Sequence, residues 1–216
     1  MKTKITLLDY GMCNLLNVAR AFQHCGAEVV IAEDPATAYN AEKLVVPGVG
    51  AFPDSMRMLQ LLGFDDVIRQ FVITERPFLG ICVGMQVLFE SSYEFGHTAG
   101  LAILPGTVES IPCKTVNGEN QRVPHMGWNP LLFPENNLLS WEGTLLQGLK
   151  NQESSMYFVH SYAAIPSDVQ TRLADVFYGG HNLCAAVQKN NIMATQFHPE
   201  RSGKLGLDII RQFITM

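Results

Sequence analysis

Short apolar runs alternate with amphipathic segments through the first part of the chain, and this alternation admits very few architectures. KITLLD at 4–9, AEVVIAED at 27–34, KLVVPG at 43–48 and RPFLGIC at 76–82 read as buried strands, the third broken by Pro47-Gly48. Helical segments lie between them. LLNVARAFQHC has Asn14 at its N-cap position and Gly26 as its stop. SMRMLQLL follows a candidate cap at Asp54, DDVIRQFVI follows Gly63, and VGMQVLFESS follows Cys82. Strand and helix in this rhythm predict a mostly parallel central sheet flanked by helices, an α/β fold.

The second part changes character. LAILPGTVESI, RVPHMGWNPLLF, SSMYFVHSYAAIP and TRLADVFY are strand-like stretches between polar turns. LCAAVQ and IMATQFH, joined at Lys189-Asn190-Asn191, predict a hairpin, and a helix over GLDIIRQFITM follows Gly203. The expectation is one domain over residues 1–216, with additional antiparallel strands in its C-terminal half.

Composition removes several functional classes. The net charge is −5 and no run of Lys or Arg occurs, which disfavours nucleic acid and anionic membrane surfaces as partners. No apolar stretch approaches the roughly 20 residues that span a bilayer, and MKTKITLLDYG reaches Asp9 too early for a signal peptide. The cysteines, Cys13, Cys25, Cys82, Cys113 and Cys184, are odd in number and form no CxxC pair. They predict neither a disulfide framework nor a metal site, and a cytoplasmic location.

One thiol stands in a different setting. Gly80-Ile81-Cys82-Val83-Gly84 has the form of a nucleophile elbow with cysteine in place of serine. The glycines allow close backbone approach, and the start of the following helix favours a thiolate. The Val83 amide can donate to a developing oxyanion. On this motif alone, a small buried hydrophobe at a tight packing point remains the alternative.

Among the histidines, His198 in TQFHPERS lies where a strand ends, with Glu200 two positions on. In an extended segment, residues i and i+2 project to the same side, so Glu200 is expected to hold the His198 ring. Cys82 is then the nucleophile, His198 the proton carrier and Glu200 the orienting group, an arrangement suited to acyl transfer through a thioester. The third piece, VVPGVGAF at 45–52, exposes backbone amides around Val49 that fit the other half of an oxyanion hole. The third glycine of a dinucleotide fingerprint is replaced by Pro53, and no P-loop pattern occurs, so no nucleotide site and no cofactor are expected.

PGVGAF, GICVGMQ and QFHPERS, in that order, resemble the class I, triad-type glutamine amidotransferases. The resemblance implies that Cys82, His198 and Glu200 hydrolyse the side-chain amide of glutamine, and that Gly50, Gln86 and Ser161 hold it. RVPHMGWNPL and YFVHSY look more closely like the glutaminase subunits of imidazole glycerol phosphate synthase. In those enzymes, ammonia passes to a cyclase partner that makes imidazole glycerol phosphate and AICAR for histidine. That likeness turns His125, Met126, Trp128 and Asn129 toward a separate synthase subunit, and makes Val49 a peptide that switches between inactive and active oxyanion geometry. Read on its own, PHMGWN is equally a strand with a buried Trp128. Arg201 stands where these subunits often carry lysine. A glutaminase serving another synthase, such as one amidinating a surface sugar, remains a second reading, and a cysteine hydrolase of the DJ-1/intracellular-protease type a distant third. The motifs span residues 47 to 202 and leave no room for a second catalytic domain, so a partner subunit is expected to receive the ammonia.

Overall fold

The computed structural model describes residues 2–135 and 140–216. The first part alternates as expected: β1 (Lys4–Leu8), α1 (Leu15–His24), β2 (Glu28–Ala32), α2 (Pro35–Tyr39), β3 (Leu44–Gly48), α3 (Phe52–Leu61), α4 (Phe64–Val72), β4 (Phe78–Cys82) and α5 (Val83–Gln86). Two short strands follow, β5 (Ser91–Ser92) and β6 (Thr98–Ala99), then β7 (Gly106–Ser110) and β8 (His125–Leu132). The chain continues through β9 (Ser155–His160), β10 (Tyr162–Pro166), β11 (Arg172–Tyr178), β12 (His181–Lys189) and β13 (Ile192–Thr195), and closes with α6 (Gly203–Thr215).

A nine-stranded sheet runs β2-β1-β3-β4-β13-β12-β11-β8-β9. Its β2-β1-β3-β4-β13 half is parallel, and from β13 onward the pairs are antiparallel. β3 and β4 are buried throughout, which explains their unbroken apolar character. α1 packs with α6, where Phe22 and Phe213 meet edge to face at 6.2 Å, while α4 packs with α2 and α3. No helix among the described residues is long and apolar enough to cross a membrane.

The structure corrects several local expectations. Asn14 occupies the N-cap position of α1, but its side chain makes no capping bond. Pro47-Gly48 does not break β3: Pro47 pairs with Ile81 and Gly48 with Cys82. α3 starts at Phe52, before Asp54, and the Phe52 amide donates to the Glu94 carboxylate at 2.7 Å. A distant carboxylate therefore satisfies that helix start. α2 was not anticipated, although Asp34 accepts from the Thr37 amide at its N-cap and Pro35 opens it.

The expected helix VGMQVLFESS is cut to Val83–Gln86. The Val87, Leu88 and Phe89 carbonyls accept from Leu101, Ala102, Ile103 and Leu104 instead of continuing the helix. SSMYFVHSYAAIP forms two strands in two sheets. His160 ends β9 opposite His125, and Tyr162 begins β10 opposite Ser110 in a four-stranded sheet ordered β10-β7-β5-β6. The step between the sheets falls at Ser161.

Candidate active site

Cys82 ends β4 and stands immediately before α5, with φ 56° and ψ −112°. An L-residue with positive φ is strained, and the surrounding packing holds it there. A Cβ on Gly84 would overlap the Val46 carbonyl oxygen of β3. One on Gly48 would lie 2.6 Å from the Tyr10 hydroxyl and 2.8 Å from the Gly84 nitrogen. Bare glycine on both sides of the contact lets β3 and the turn close onto each other and fixes the direction of the Cys82 side chain.

His198 follows β13, the parallel neighbour of β4, so both residues emerge beyond the C-terminal ends of adjacent central strands. The His198 amide donates to the Tyr157 carbonyl at 3.1 Å, and the Ser202 hydroxyl donates to the His198 carbonyl at 2.7 Å. The ring's Nδ1 lies 2.8 Å from Glu200 Oε1, both side chains being buried. The backbone is not the extended segment expected there: His198 caps a short 3₁₀ turn, Pro199–Arg201, and that turn brings Glu200 back to the ring.

His198 Nε2 is buried without a hydrogen-bond partner among the described residues. Burial alone disfavours the imidazolium, but the Cys82 thiol and the Glu200 carboxylate outweigh it and push the ring up to about 10. Sulfur and carboxylate together favour the imidazolium, the form that can donate from Nε2. Cys82 and His198 line one cavity of about 300 Å³ together with Val49, Gly50, Val83, Gln86, Glu94, Ser161 and Tyr162, while Glu200 bonds the far nitrogen of the ring.

The two oxyanion candidates differ in state. Val83 opens α5 and lines the cavity. The Val49 amide instead donates to the Met12 carbonyl at 2.8 Å, so it is spent within the protein. Gln86 is buried and places its amide nitrogen on two acceptors, the Tyr162 carbonyl and Gln196 Oε1, each at 3.0 Å. With both hydrogens engaged, it has its carbonyl oxygen to offer an amide or ammonium in the cavity. The expected site set lacked Glu94, whose carboxylate lines the cavity and suits an ammonium group. Its only sequence signal was an acidic residue shortly after the elbow helix. It also lacked Gln196.

β8 separates the expected partner-facing residues. Met126 is 62% exposed and Trp128 55%, which also overturns the buried-Trp alternative. His125 is fully buried and presents no surface. It stacks on Tyr178 and Phe158 at 4.2 and 5.0 Å and bonds His160 at 3.0 Å, because β8 alternates its faces. Asn129, half-buried, bonds the His125 ring at 2.8 Å. The Arg201 guanidinium lies 4.3 Å over the Tyr157 ring, against which Trp128 packs edge-on at 6.0 Å. All five cysteines are free thiols.

A family model described as glutamine amidotransferase class-I matches residues 6–216. The imidazole glycerol phosphate synthase subunit HisH 1 of Legionella pneumophila (strain Lens) is 44% identical over 212 residues, covering 98% of this chain and 99% of its own. The subunit HisH of Syntrophotalea carbinolica is 46% identical over 210 residues, covering 97% and 98%. Among solved structures, PurLQS from Thermotoga maritima superposes with a TM-score of 0.70 at 16% identity, covering 100% of this chain and 99% of its own, a likeness of fold. The chain belongs to the class-I glutamine amidotransferases, among the HisH subunits of imidazole glycerol phosphate synthase.

Proposed function

We propose that this chain is the glutaminase subunit of an imidazole glycerol phosphate synthase in histidine biosynthesis. It hydrolyses glutamine to glutamate and ammonia and passes the ammonia to a separate cyclase subunit in a heterodimer. The observation that carries the reading is the buried His198–Glu200 contact at 2.8 Å, opening onto the cavity that holds Cys82. Relatives named as HisH subunits over nearly the full chain support this synthase rather than a sugar-amidinating one. The family match over 6–216 supports reading residues 1–216 as one amidotransferase domain. Five free thiols and a net charge of −5 fit a cytoplasmic enzyme with no nucleic-acid partner.

Glutamine enters with its carboxamide at Cys82 and its α-ammonium toward Glu94 and the Gln86 oxygen, with Gly50 and Ser161 on the cavity wall. Cys82 Sγ attacks the carboxamide carbon, and the thiol proton resides on His198. The carbonyl oxygen, now negative, takes the Val83 amide as one donor. His198 Nε2 gives its proton to the departing nitrogen while Nδ1–H stays on Glu200, and ammonia leaves a glutamyl thioester. Water, deprotonated by the same ring, then attacks the thioester carbon and restores the thiol.

The second oxyanion donor is missing in this form, because the Val49 amide is held by Met12. Turning the Gly48–Val49 peptide frees it, a rotation that Gly48 absorbs at low cost. Uncoupled hydrolysis would waste glutamine, so the released form belongs with the bound partner. Met126, Trp128 and Arg201 are proposed to meet that partner. Replacing Cys82 by alanine tests the division of labour. Glutamine-dependent synthesis by the complex should fall at least about a thousandfold, while synthesis from added ammonia is kept. Loss of both activities would count against it.

A further inference from the structure

Gln196 stands beside Cys82 in the sheet, yet the triad gives it no task. It lies one position beyond Thr195, which pairs with Ile81, so it is the lateral neighbour of Cys82 on the side opposite Gly48. Its side chain is fully buried, and its Nε2 lies 3.6 Å from Cys82 Sγ, within hydrogen-bond reach of the sulfur.

Hydrogen-bond chemistry forces that orientation. The Tyr162 carbonyl can only accept, and it lies 3.0 Å from the Gln86 amide and 2.8 Å from His160 Nδ1. Gln86 must therefore turn its NH₂ toward Tyr162, and the second hydrogen of the same nitrogen meets Gln196. Gln196 has to answer with its oxygen, which leaves its own NH₂ facing the sulfur. A reversed Gln196 amide would set two NH₂ groups against each other and an oxygen against the thiol. Behind Tyr162 the chain continues: His160 is neutral, burial holding it down to about 3, and its Nε2 contacts His125, which bonds Asn129 on β8. The thiol's lateral donor is thus tied, through Gln86, the Tyr162 carbonyl and His160, to His125 on the strand that exposes Met126 and Trp128.

We infer that Gln196 is a positioning residue for the nucleophile: its amide N–H holds the Cys82 sulfur in line and stabilises it as thiolate, and Gln86 and Tyr162 fix the direction of that amide. This rests on Cys82 being the nucleophile of the glutaminase reading. As the thioester forms, sulfur loses its negative charge and the bond weakens, so the contribution falls on the supply of thiolate rather than on the oxyanion.

The test compares alkylation of Cys82 by iodoacetamide at neutral pH in wild type, Gln196→Met and Gln196→Glu, each with its thermal midpoint, alongside kcat and KM for glutamine in the complex. Alkylation needs no glutamine, so it judges Gln196 even if the chain proves not to be a glutaminase. Hydrolysis by the wild-type complex judges that reading separately. One hydrogen bond to a charged acceptor is about tenfold in the thiol–thiolate balance. Higher intrinsic nucleophilicity returns part of this, leaving Gln196→Met slower by about threefold. kcat should fall similarly, with KM unchanged.

Gln196→Glu keeps the shape and the acceptor for Gln86 but sets a carboxylate against the sulfur, so it should be slower still. A purely structural role predicts the opposite order, with the polar isostere the milder change. Alkylation by Gln196→Glu at or above the Gln196→Met rate, or at the wild-type rate in either variant, would overturn the inference.

Discussion

At the level of single residues, the proposed reactive groups owe their placement to short-range geometry around the elbow and the His198 turn. Cys82 announces itself through flanking glycines, and Glu200 through its place two positions after His198. The contact between the latter two is present at 2.8 Å, though a 3₁₀ turn makes it rather than an extended strand. Gln196 and Glu94 were not legible, because their contacts, Gln196 with Gln86 and Cys82 and Glu94 with Phe52, join residues far apart in sequence and neither carries a local pattern. His198 has a measurable consequence. Its ring is raised from 6.5 to about 10 by Cys82 and Glu200 against the opposing effect of burial. A raised folded-state value adds stability that is complete below about 6.5 and disappears as pH climbs through about 10. The stability margin of wild type over His198→Gln, from urea midpoints, should shrink steadily across that window. A margin that stays flat, or grows with pH, would contradict the assigned ion pairing.

At the scale of elements, β3 and β4 read cleanly because they are buried on both faces and carry unbroken apolar runs, while the edge strand β2 is only half-buried and is marked by its Val and Ile content. VGMQVLFESS misled for the same reason. Its apolar residues suit a buried helix, but Val87–Phe89 give their carbonyls to residues 101–104, a pairing with no trace in local periodicity. SSMYFVHSYAAIP has strand character throughout, and nothing in its composition marks Ser161 as the step between two sheets. That step matters, since it lines the cavity with Ser161 and turns the Tyr162 carbonyl toward Gln86. The elbow is the stiffest of these features. Gly84→Ala would drive a methyl into the Val46 carbonyl, with backbone on both sides and no flexible side chain to yield. We expect a loss of about 3 kcal/mol in urea unfolding, together with loss of glutamine hydrolysis; a variant of wild-type stability would show that β3 and the turn can separate.

At the scale of the whole molecule, the sheet brings Cys82 and His198, 116 positions apart in sequence, together by placing β13 beside β4. The order of motifs along the chain implied such a meeting, but only the fold supplies it. The same sheet carries β8, with His125 and the thiol's hydrogen-bond chain on its buried face and Met126 and Trp128 on its exposed one. By resemblance PHMGWN reads as a partner-facing stretch; the alternation of a strand divides it into an inner and an outer half. Trp128 is the large aromatic of the outer half, and such residues dominate interface energetics. Trp128→Ala should weaken the complex with the cyclase subunit at least about tenfold in Kd by titration calorimetry. An unchanged Kd would place the partner elsewhere.

The proposed triad has all three members in place, but its oxyanion hole lacks one donor while the Val49 amide is held by Met12. Glutamate release from glutamine by the purified chain, alone and with the cyclase subunit and its nucleotide substrate, puts that missing donor to the test. One oxyanion donor is worth about 10²–10³ in rate, so freeing the Val49 amide should raise hydrolysis by about that factor, from a low basal level. Equal rates with and without the partner would contradict the account, for they would mean that the Val49–Met12 bond has no bearing on catalysis.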